Sequence, residues 1–456
     1  MLLDIPEKVE FILNKLEAAG YEAYAVGGCV RDSVLGRNPN DWDITTSAKP
    51  EEVKAVFGRT IDTGLKHGTV TVMMGKEGFE ITTYRIDGIY EDGRHPKDVT
   101  FASDLQEDLK RRDFTINAMA YNPSEGIVDL FGGMEDLKNG VIRCVGDPME
   151  RFSEDALRIM RAVRFSAQLG FSIDPDTRRA VSVLAENLSM ISAERIQAEL
   201  QKLIMSPHPD YLRIACETGI TAVVLPELDV CMKTEQNTPY HCYTVGEHIL
   251  HSMCCVPQDK VLRFTMLFHD IGKPAVRTTD ADGRDHFKTH SIASEKMAVN
   301  IMRRLKMDND TIHKTERLIR WHDYRPEGEI RSVRRAVSKI GEDIFPLYLK
   351  VQRADMLSQS DYRRKEKEER LRKVEECYLE IMEKGQCVSL KDLAINGSDL
   401  IAAGMKPGRE IGEILKTLLN DVLEEPEHNQ KALLLRMAEQ VFRNPAKKQS
   451  DNSNCG

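Results

Sequence analysis

The chain has 456 residues, with 64 Lys and Arg against 73 Asp and Glu and a formal net charge of -9. At about 150 residues per domain, this length predicts about three domains. The acidic balance argues against a non-specific polyanion binder, so any nucleic-acid binding must use local basic surfaces. There is no secretory signal and no apolar run near the roughly 20 residues of a membrane span, and the ten cysteines form no CxxC pair, which predicts a cytoplasmic protein.

The first 145 residues mix helical and strand patterns. Apolar residues at helical spacing precede Gly20, and residues 24–26 predict a strand that leads through Gly27-Gly28 into a short helix ending near Gly36. Further strands are predicted at 42–45, 69–74 and 79–84, the last two joined by a Gly-Lys-Glu-Gly turn. This pattern predicts a mixed sheet with helices.

From residue 146 onward the apolar pattern is helical, with amphipathic helices predicted at 151–170, 176–186 and 193–205. Turn residues at 226–241 mark a boundary, and 242–360 holds most of the histidines. The prediction is an α+β chain with four regions: a mixed head at 1–145, a helical region at 146–230, a histidine-rich helical region at 242–360 and a helical tail at 361–456.

Two motifs of the head favour phosphate and metal binding. Gly27 and Gly28 lie between a strand and a helix, where backbone N–H groups can bind phosphate, although such a turn is often only a turn. Asp41 and Asp43 alternate on a predicted strand and therefore share a face. Two adjacent carboxylates need a cation and suit Mg²⁺ with substrate phosphates, as in two-metal phosphoryl transfer; the alternative is a turn or capping pair.

Other candidates follow along the head. Glu80, at the start of a predicted strand, is either a third metal ligand, a base for an attacking hydroxyl, or a surface glutamate. The basic string at 110–112 favours triphosphate binding through Arg112, and Asp113 is a candidate acceptor for a ribose hydroxyl.

A possible base-reading pair follows in the helical region. Asp155 and Arg158 would be neighbours on the predicted helix, where Arg158, Arg161 and Arg164 share a face. Cytosine and adenine each present an amino donor beside a ring-nitrogen acceptor, whereas uracil and guanine present the opposite polarity. A carboxylate beside a guanidinium would therefore select C and A without a nucleic-acid template. The alternative is a helical salt-bridge ladder.

Together these motifs resemble the class II tRNA nucleotidyltransferases, the CCA-adding enzymes of the polymerase β superfamily and the poly(A) polymerase/tRNA nucleotidyltransferase family. The resemblance rests on GGCVRD, DWD, RRDFTINAMA, RFSEDALRIMRAVRF and ISAERIQAEL, and on LAINGSDLIAAGMKPGREIGEIL near the C-terminus. The string DGIYEDGRHPKDVTF at 87–101 resembles the family's flexible loop.

The resemblance implies a nucleotidyltransferase head followed by helical neck, body and tail, and addition of C, C and A to tRNA 3′ ends from CTP and ATP. It implies metal ligation by Asp41 and Asp43. Contacts to the nucleotide's phosphates and sugar would come from Gly28, Arg31 and Arg112. Base selection would come from Asp155 and Arg158, with further nucleotide contacts from Arg161 and Arg164. The tRNA would follow a basic path that includes Arg195, Lys202 and the C-terminal lysines.

A second cluster is predicted from histidines and aspartates in the order H…HD…H…H…D, at His248, His269, Asp270, His290, His322 and Asp355. Imidazole and carboxylate are ligands of borderline divalent metals, so four of them could hold one metal and all six could hold two. The order resembles an HD-type phosphohydrolase domain, here inserted between neck and tail. His241 lies just outside the pattern and is interpreted as structural; the alternative is six unrelated polar residues.

The leading hypothesis is therefore a CCA-adding enzyme that uses Mg²⁺, binds tRNA, and has a possible accessory HD phosphohydrolase activity with a second divalent metal. The alternatives are a poly(A) polymerase, a CC-only or A-only enzyme, or a phosphohydrolase whose HD site is the main activity. The loop at 85–108 favours full CCA addition. No membrane or obligate protein partner is predicted.

Overall fold

The structure is a computed structural model, and it describes residues 2–65, 68–87, 99–101 and 104–443. It divides into two compact units, Met1–Val230 with Arg303–Met307 and Cys231–Met302 with Asp308–Gly456. Among the described residues no helix is both long and apolar enough to cross a membrane.

Most strands of the described residues belong to one sheet in the first unit. The strands are β1 (Ala23–Val26), β2 (Ile44–Thr46), β3 (Thr60–Gly64), β4 (Thr69–Met74), β5 (Glu77–Thr83), β6 (Arg85–Asp87), β7 (Val99–Phe101), β8 (Met119–Asn122), β9 (Gly126–Asp129), β10 (Val141–Ile142), β11 (Ser172–Ile173), β12 (Thr278–Thr279) and β13 (Asp285–His286). The seven-stranded sheet has the order β3-β4-β5-β2-β1-β8-β9, while β6–β7, β10–β11 and β12–β13 form separate two-stranded pairs.

The register of the central strands brings the sequence motifs to one edge of the sheet. Strand β1 is antiparallel to β2, so that Ala25 pairs with Ile44 and the end of β1 meets the start of β2. Strand β8 is also antiparallel to β1, whereas β5 runs parallel to β2. The turn after β1 and the residues before β2, β5 and β8 therefore all lie at the same edge.

The helices account for most of the remaining described chain. They are α1 (Glu7–Ala18), α2 (Gly28–Val34), α3 (Pro50–Val56), α4 (Leu105–Lys110), α5 (Gly133–Asn139), α6 (Pro148–Glu154), α7 (Leu157–Leu169), α8 (Pro175–Leu184), α9 (Ala193–Ile204), α10 (Leu212–Glu217), α11 (Ile220–Val224), α12 (Pro226–Met232), α13 (Val245–Cys254), α14 (Lys260–Phe268), α15 (Lys273–Val276), α16 (His290–Arg304), α17 (Asn309–Trp321), α18 (Ile330–Ile340), α19 (Phe345–Leu357), α20 (Arg364–Glu383), α21 (Gly397–Ala402), α22 (Arg409–Glu424) and α23 (Lys431–Arg443).

Three predicted elements differ from the structure. The helix expected at 151–170 is two helices, because the backbone of Asp155 is extended and its carboxylate accepts a hydrogen bond from Leu157 N, which starts α7 anew. The strand expected at 42–45 begins only at Ile44, so Asp41 and Asp43 precede β2; aspartate is unfavourable in strands. The turn after β4 is two residues long, with Gly75 at φ +71°, and β5 starts at Glu77.

Two apolar clusters are distinct among the described residues of the second unit. One is built by α17 to α20 and includes Leu318, Phe345, Tyr348 and Ile381, all buried. Because α20 contributes to it, this core continues across the predicted boundary at 360/361. The other core lies within 387–438 and joins α21, α22 and α23.

Candidate functional site

The glycine turn after β1 lets an arginine approach the backbone closely. Gly27 has φ +81°, a left-handed conformation that favours glycine. A Cβ atom there would lie only 2.9 Å from Nη1 of Arg112. Gly27 N also donates a hydrogen bond to Met119 O at 3.1 Å, which links the turn to the start of β8. The strand–glycine–helix motif and the basic string are thus adjacent in space.

Asp41 and Asp43 lie beside this turn. The carbonyl of Asp43 accepts a hydrogen bond from Val26 N at 2.9 Å, which fixes the segment at the sheet edge. Both side chains reach solvent, yet the surrounding protein raises the pKa of Asp43; Arg112 opposes this effect and Asp41 adds to it. Among the described residues neither carboxylate accepts a hydrogen bond or forms an ion pair. Two unneutralised carboxylates side by side fit a divalent cation with oxygen ligands.

Glu80 lies on β5 at the same edge and is exposed. It precedes Ile81, which pairs with Ile44, so Glu80 and Asp43 occupy neighbouring register positions. Within the described part of the chain, however, oxygens of Asp41, Asp43 and Glu80 do not form a group within 4.8 Å. Glu80 remains a predicted third carboxylate that the structure does not bring into a compact triad.

Arg31 and Asp113 are buried and already have partners. Arg31 donates to Asn117 Oδ1 at 2.6 Å and to Asp32 Oδ1 at 2.9 Å. Asp113 accepts from Phe114 N and Asn117 Nδ2 through Oδ1 and from Arg161 Nε through Oδ2, at 2.7 Å for the last. Burial alone would raise the pKa of Asp113, but the Arg161 charge and these hydrogen bonds lower it to about 2. Asp113 therefore orients Arg161 and Asn117, and its role as an acceptor for a ribose hydroxyl stays a prediction.

The break between α6 and α7 separates Asp155 from Arg158 and gives each its own partner. Arg195 Nη2 donates to Asp155 Oδ2 at 2.8 Å. Arg158 Nη1 donates to Glu154 Oε2 at 2.6 Å and to Arg151 O at 3.0 Å. The backbone N–H of Arg158 still donates to Asp155 O at 3.0 Å, so the two residues share one backbone turn. Their orientation is thus set by two residues, Glu154 and Arg195, outside the predicted pair.

Arg161 and Arg164 follow on the next turns of α7. Arg161 pairs with Asp113, as described, and Arg164 Nε donates to Glu199 Oε2 on α9 at 2.6 Å. Arg164 and Glu199 are only 5% and 4% exposed. Arg164 also lies over the ring of Phe165 at 3.5 Å. Arg164 is therefore a packing residue that joins α7 to α9, in contrast to the predicted nucleotide contact.

The predicted histidine–aspartate set converges in the second unit. His248 lies on α13 and His269 caps α14, while His290, His322 and Asp355 come from α16, the end of α17 and α19. Two triads of candidate ligand atoms, each within 4.8 Å, share Asp270: one with His248 and His269, the other with His290 and His322. Asp355 joins the first through its Oδ1, 3.1 Å from His248 Nε2.

The ring orientations leave the Nε2 lone pairs directed at one another. Each Nδ1 faces a backbone carbonyl, at 2.8 Å for His269 and for His290 and 2.7 Å for His322, and a carbonyl can only accept. His248 Nδ1 faces Ser358 O at 3.2 Å. Nδ1 therefore carries the proton of each neutral ring. The Nε2 atoms nevertheless lie 3.1 Å apart in the His248–His269 pair and 3.0 Å apart in the His290–His322 pair. Facing lone pairs fit metal ligation.

The charges in this cluster also suit a metal site. Burial disfavours the ionised form of Asp270, but Lys273, at 2.7 Å, and His269 hold its pKa well below the ordinary value. Burial lowers the pKa of His290 to about 4, so this imidazole is neutral at pH 7. His241 lies outside both triads, with its ring 4.9 Å from that of His248, and burial and then Lys273 lower its pKa to about 2.

Profiles of known protein families match three segments that together cover most of this chain. The profile described as "Poly A polymerase head domain" matches residues 23–143. The profile "Probable RNA and SrmB- binding site of polymerase A" matches 170–232, and "tRNA nucleotidyltransferase domain 2 putative" matches 287–438. A CCA-adding enzyme of Levilactobacillus brevis is 36% identical over 437 residues, which cover 94% of this chain and 98% of that enzyme. This chain belongs to the CCA-adding enzyme family.

Two further relatives extend the comparison. The CCA-adding enzyme of Leuconostoc mesenteroides is 57% identical over 194 residues, which span 42% of this chain and only 48% of that enzyme. The crystal structure of the Bacillus stearothermophilus CCA-adding enzyme in complex with CTP matches with a TM-score of 0.72 and 29% identity, and covers 96% of this chain and 98% of that one. The predicted family, and the mixed α/β head followed by a largely helical region, are confirmed.

Sequence reasoning missed several residues that the structure adds to the two sites. Glu154 and Arg195 contact Arg158 and Asp155, and Lys273 and Arg325 contact the buried aspartates. Glu154 is four residues before Arg158, a helical pair spacing that could have been noticed. Arg195 and Arg325 are distant in sequence from their partners, so no local signal exists. Residues 88–98 of the predicted loop and the C-terminal lysines Lys447 and Lys448 lie outside the described residues.

Proposed function

We propose that this chain adds C, C and A to the 3′ end of tRNA, using CTP and ATP without a nucleic-acid template. The observation that carries the proposal is the pair Asp155 and Arg158, held at the α6–α7 break by Arg195 and Glu154. An oriented carboxylate accepts from the amino group of C or A, and an oriented guanidinium donates to the ring nitrogen. Membership of the CCA-adding family supports this reading.

The reaction is transfer of a nucleotidyl group. The oxygen of the tRNA 3′-hydroxyl forms a bond to the α-phosphorus of CTP or ATP, the bond from that phosphorus to the bridging oxygen breaks, and pyrophosphate leaves. Gly28, Arg31 and Arg112 are proposed to contact the phosphates and the sugar. The closeness of Arg112 to Gly27 supports this role, because its guanidinium would accompany the phosphates at the glycine turn.

We propose that Asp41 and Asp43 hold Mg²⁺, with Glu80 as a further carboxylate at the same edge. When bound, Mg²⁺ neutralises triphosphate charge and makes the attacking hydroxyl more acidic. The two carboxylates lack protein partners among the described residues, which supports this assignment. Arg161 is proposed to position Asp113 and the base-reading segment, and tRNA is proposed to follow basic residues such as Arg195 and Lys202.

The test is an extension assay on one tRNA in three forms, ending at the discriminator base, at +C and at +CC. Each form is incubated with Mg²⁺ and each nucleoside triphosphate singly and together, and the products are sized on a gel. We expect addition to stop after three nucleotides. A long A ladder would identify a poly(A) polymerase, and a stop at CC or a requirement for +CC would identify a partial enzyme.

Removal of a metal-binding carboxylate gives the sharpest variant. We expect Asp41→Ala to lower incorporation about 1000-fold or more, because metal ions contribute several kcal/mol to transition-state stabilisation. Its tRNA affinity, measured by filter binding, should change little. Asp62→Ala, which removes an exposed aspartate of β3 paired with Lys54, is the matched control and should keep normal turnover. Near-normal turnover of Asp41→Ala would overturn the metal assignment.

A second activity is supported by the histidine–aspartate cluster. We propose that His248, His269, Asp270 and Asp355 hold one divalent metal and that Asp270, His290 and His322 favour a second, in an HD-type phosphohydrolase site. Such metals supply an acidic water and charge neutralisation. Hydrolysis of a phosphate ester would break the P–O bond to the nucleoside oxygen, add water to phosphorus, and return a proton to the leaving hydroxyl.

Phosphate release from nucleoside 2′-, 3′- and 5′-monophosphates and 2′,3′-cyclic nucleotides, with Mg²⁺, Mn²⁺, Co²⁺ or Ni²⁺, tests this activity. Release that disappears in His269→Ala, while tRNA extension continues, would support it. Absence of release with every metal would reject it. The thiols of Cys29, Cys144, Cys242, Cys255, Cys377 and Cys387 are free, which supports a cytoplasmic location.

A further inference from the structure

A large cavity opens beside the histidine–aspartate cluster in the second unit. Its volume is about 1190 Å³, and Asp270, His290, His322 and Asp355 form part of its lining. Both cationic and acidic side chains from outside the cluster also line it, and the cations include Arg325, Lys367 and Arg370. The same three surround a small void of about 10 Å³ next to Asp355. These three cations thus lie together beside Asp355, one residue of the cluster.

The three cations differ in how far the protein neutralises them. Arg325 contacts Asp355 Oδ2 at 3.1 Å and Asp323 Oδ1 at 3.0 Å. Lys367 donates to the neutral Gln359 Oε1 at 2.8 Å. Among the described residues Arg370 forms no hydrogen bond and no ion pair, although it is half-buried. Burial, followed by repulsion from Arg325, lowers the pKa of both Lys367 and Arg370.

Gln359 and helix α20 place Lys367 and Arg370 close to Asp355. Gln359 Nε2 donates to Asp355 Oδ2 at 2.9 Å, so Gln359 connects Lys367 to a predicted metal ligand. Lys367 and Arg370 are three residues apart on α20 and lie on one face of it. A half-buried arginine and lysine without carboxylate partners are a favourable site for a phosphate group.

Aromatic side chains line the same cavity. Tyr240 and Tyr362 meet edge to face with centroids 5.1 Å apart, and Lys367 Nζ lies 5.0 Å from the centre of the Tyr240 ring. Both rings are partly exposed, at 40% and 48%. Exposed rings beside a phosphate-binding wall offer surface on which a nucleobase can stack.

We propose that Arg370, Lys367 and Arg325 bind a second phosphate of the substrate, on the 5′ side of the nucleoside whose other phosphate ester lies at the histidine–aspartate cluster. The substrate class is thus a nucleotide that carries two phosphates. The 5′ phosphate belongs either to a free nucleoside bisphosphate or to the preceding linkage of an RNA 3′ end. This inference rests on the phosphohydrolase site proposed above.

The test compares three uridine probes: uridine 3′-monophosphate, uridine 3′,5′-bisphosphate and the dinucleotide UpUp. Uridine is chosen because the proposed base-reading pair of the first unit disfavours it. For the wild-type protein loaded with Mn²⁺, we expect KM to be about tenfold lower for a probe with a 5′ phosphate than for the monophosphate. Preference for the bisphosphate over UpUp identifies a free nucleotide as the source, and the reverse identifies RNA.

Arg370→Gln should remove most of this discrimination, so that the KM ratio falls toward one. Arg372→Gln is the matched control, because Arg372 lies on the same helix but is exposed and pairs with Glu369 and Glu376. It should preserve the ratio. The inference is overturned if the wild-type protein shows no preference for a 5′ phosphate, or if Arg370→Gln keeps the full preference.

A binding measurement separates this inference from the phosphohydrolase proposal. Uridine 3′,5′-bisphosphate is titrated calorimetrically into the full chain after chelation of divalent metal. We expect binding that Arg370→Gln weakens about tenfold and Arg372→Gln does not. Binding of this kind without any hydrolysis would reject the phosphohydrolase activity and support the phosphate site. Equal affinities of the two variants would reject the phosphate site even if hydrolysis is present.

Discussion

Buried polar groups have different partners around Asp155 and Arg158 in the first unit and in the histidine–aspartate cluster of the second. In the first, arginines and carboxylates pair, as in Arg158–Glu154, Arg164–Glu199 and Arg195–Asp155 at 2.6–2.8 Å. In the second, imidazole Nε2 atoms face one another at 3.0–3.1 Å. The first arrangement is complete within the protein, whereas the second fits the cations proposed above.

The first variant tests the metal site proposed for the histidine–aspartate cluster. Asp270→Ala removes the carboxylate shared by both triads. We expect divalent-metal affinity of the second unit to fall about 100-fold or more, measured by metal titration of chelator-treated protein. Asp310→Ala, an exposed aspartate paired with Lys314, is the control. If Asp270→Ala binds metal as the wild type does, the cluster is not a metal site and the contrast between the units fails.

The second prediction concerns the buried ion pair between Arg164 and Glu199 in the first unit. Glu199→Ala leaves the Arg164 guanidinium buried without its carboxylate, which typically costs about 3–5 kcal/mol in the free energy of unfolding. Glu217→Ala, which removes the exposed pair with Arg178, should cost about 1 kcal/mol or less. Denaturant unfolding followed by circular dichroism measures both. Similar losses for the two variants would show that burial does not distinguish these pairs.

The pH dependence of stability tests a third ion pair, between Asp113 and Arg161. Its pKa of about 2 in the folded chain lies below the ordinary value, so ionised Asp113 stabilises the fold above about pH 4, and that stabilisation is lost as the pH falls toward 2. The shift corresponds to about 2 kcal/mol. Asp113→Asn should therefore be less stable than the wild type at pH 6, and the difference should shrink between pH 4 and pH 2. A difference that stays constant with pH would contradict the pairing.

The smallest expected effect concerns Glu154, the carboxylate partner of Arg158. Glu154→Gln removes the charge that orients Arg158 and should raise KM for both CTP and ATP about tenfold, the loss of one charge-assisted hydrogen bond. Glu150→Gln, an exposed change on the same short helix, should leave both KM values near those of the wild type. Extension rates on tRNA ending at the discriminator base and at +CC give the two values separately.

Sequence predicted what depends on local pattern and missed what depends on distant partners. The glycine turn and the grouping of the six residues of the second cluster were predicted from motifs, because each motif is a short run or a recognisable order. The helix break at Asp155 was missed, since the apolar spacing continues through it while one carboxylate hydrogen bond interrupts the backbone. Arg164 was misjudged because its buried partner Glu199 lies 35 residues away.

The histidine rings of the second unit are oriented by contacts between Nδ1 and backbone carbonyls of nearby residues. His269, His290 and His322 each direct Nδ1 to the carbonyl of the residue three positions earlier, namely Met266, Phe287 and Ile319. A segment of four consecutive residues therefore determines both the tautomer and the orientation of each ring. Substitution of the other side chains in this segment leaves the carbonyl contact in place. A proline can disrupt the contact because it restricts the backbone conformation. The Nδ1 contact of each ring therefore depends on local backbone and on no distant residue.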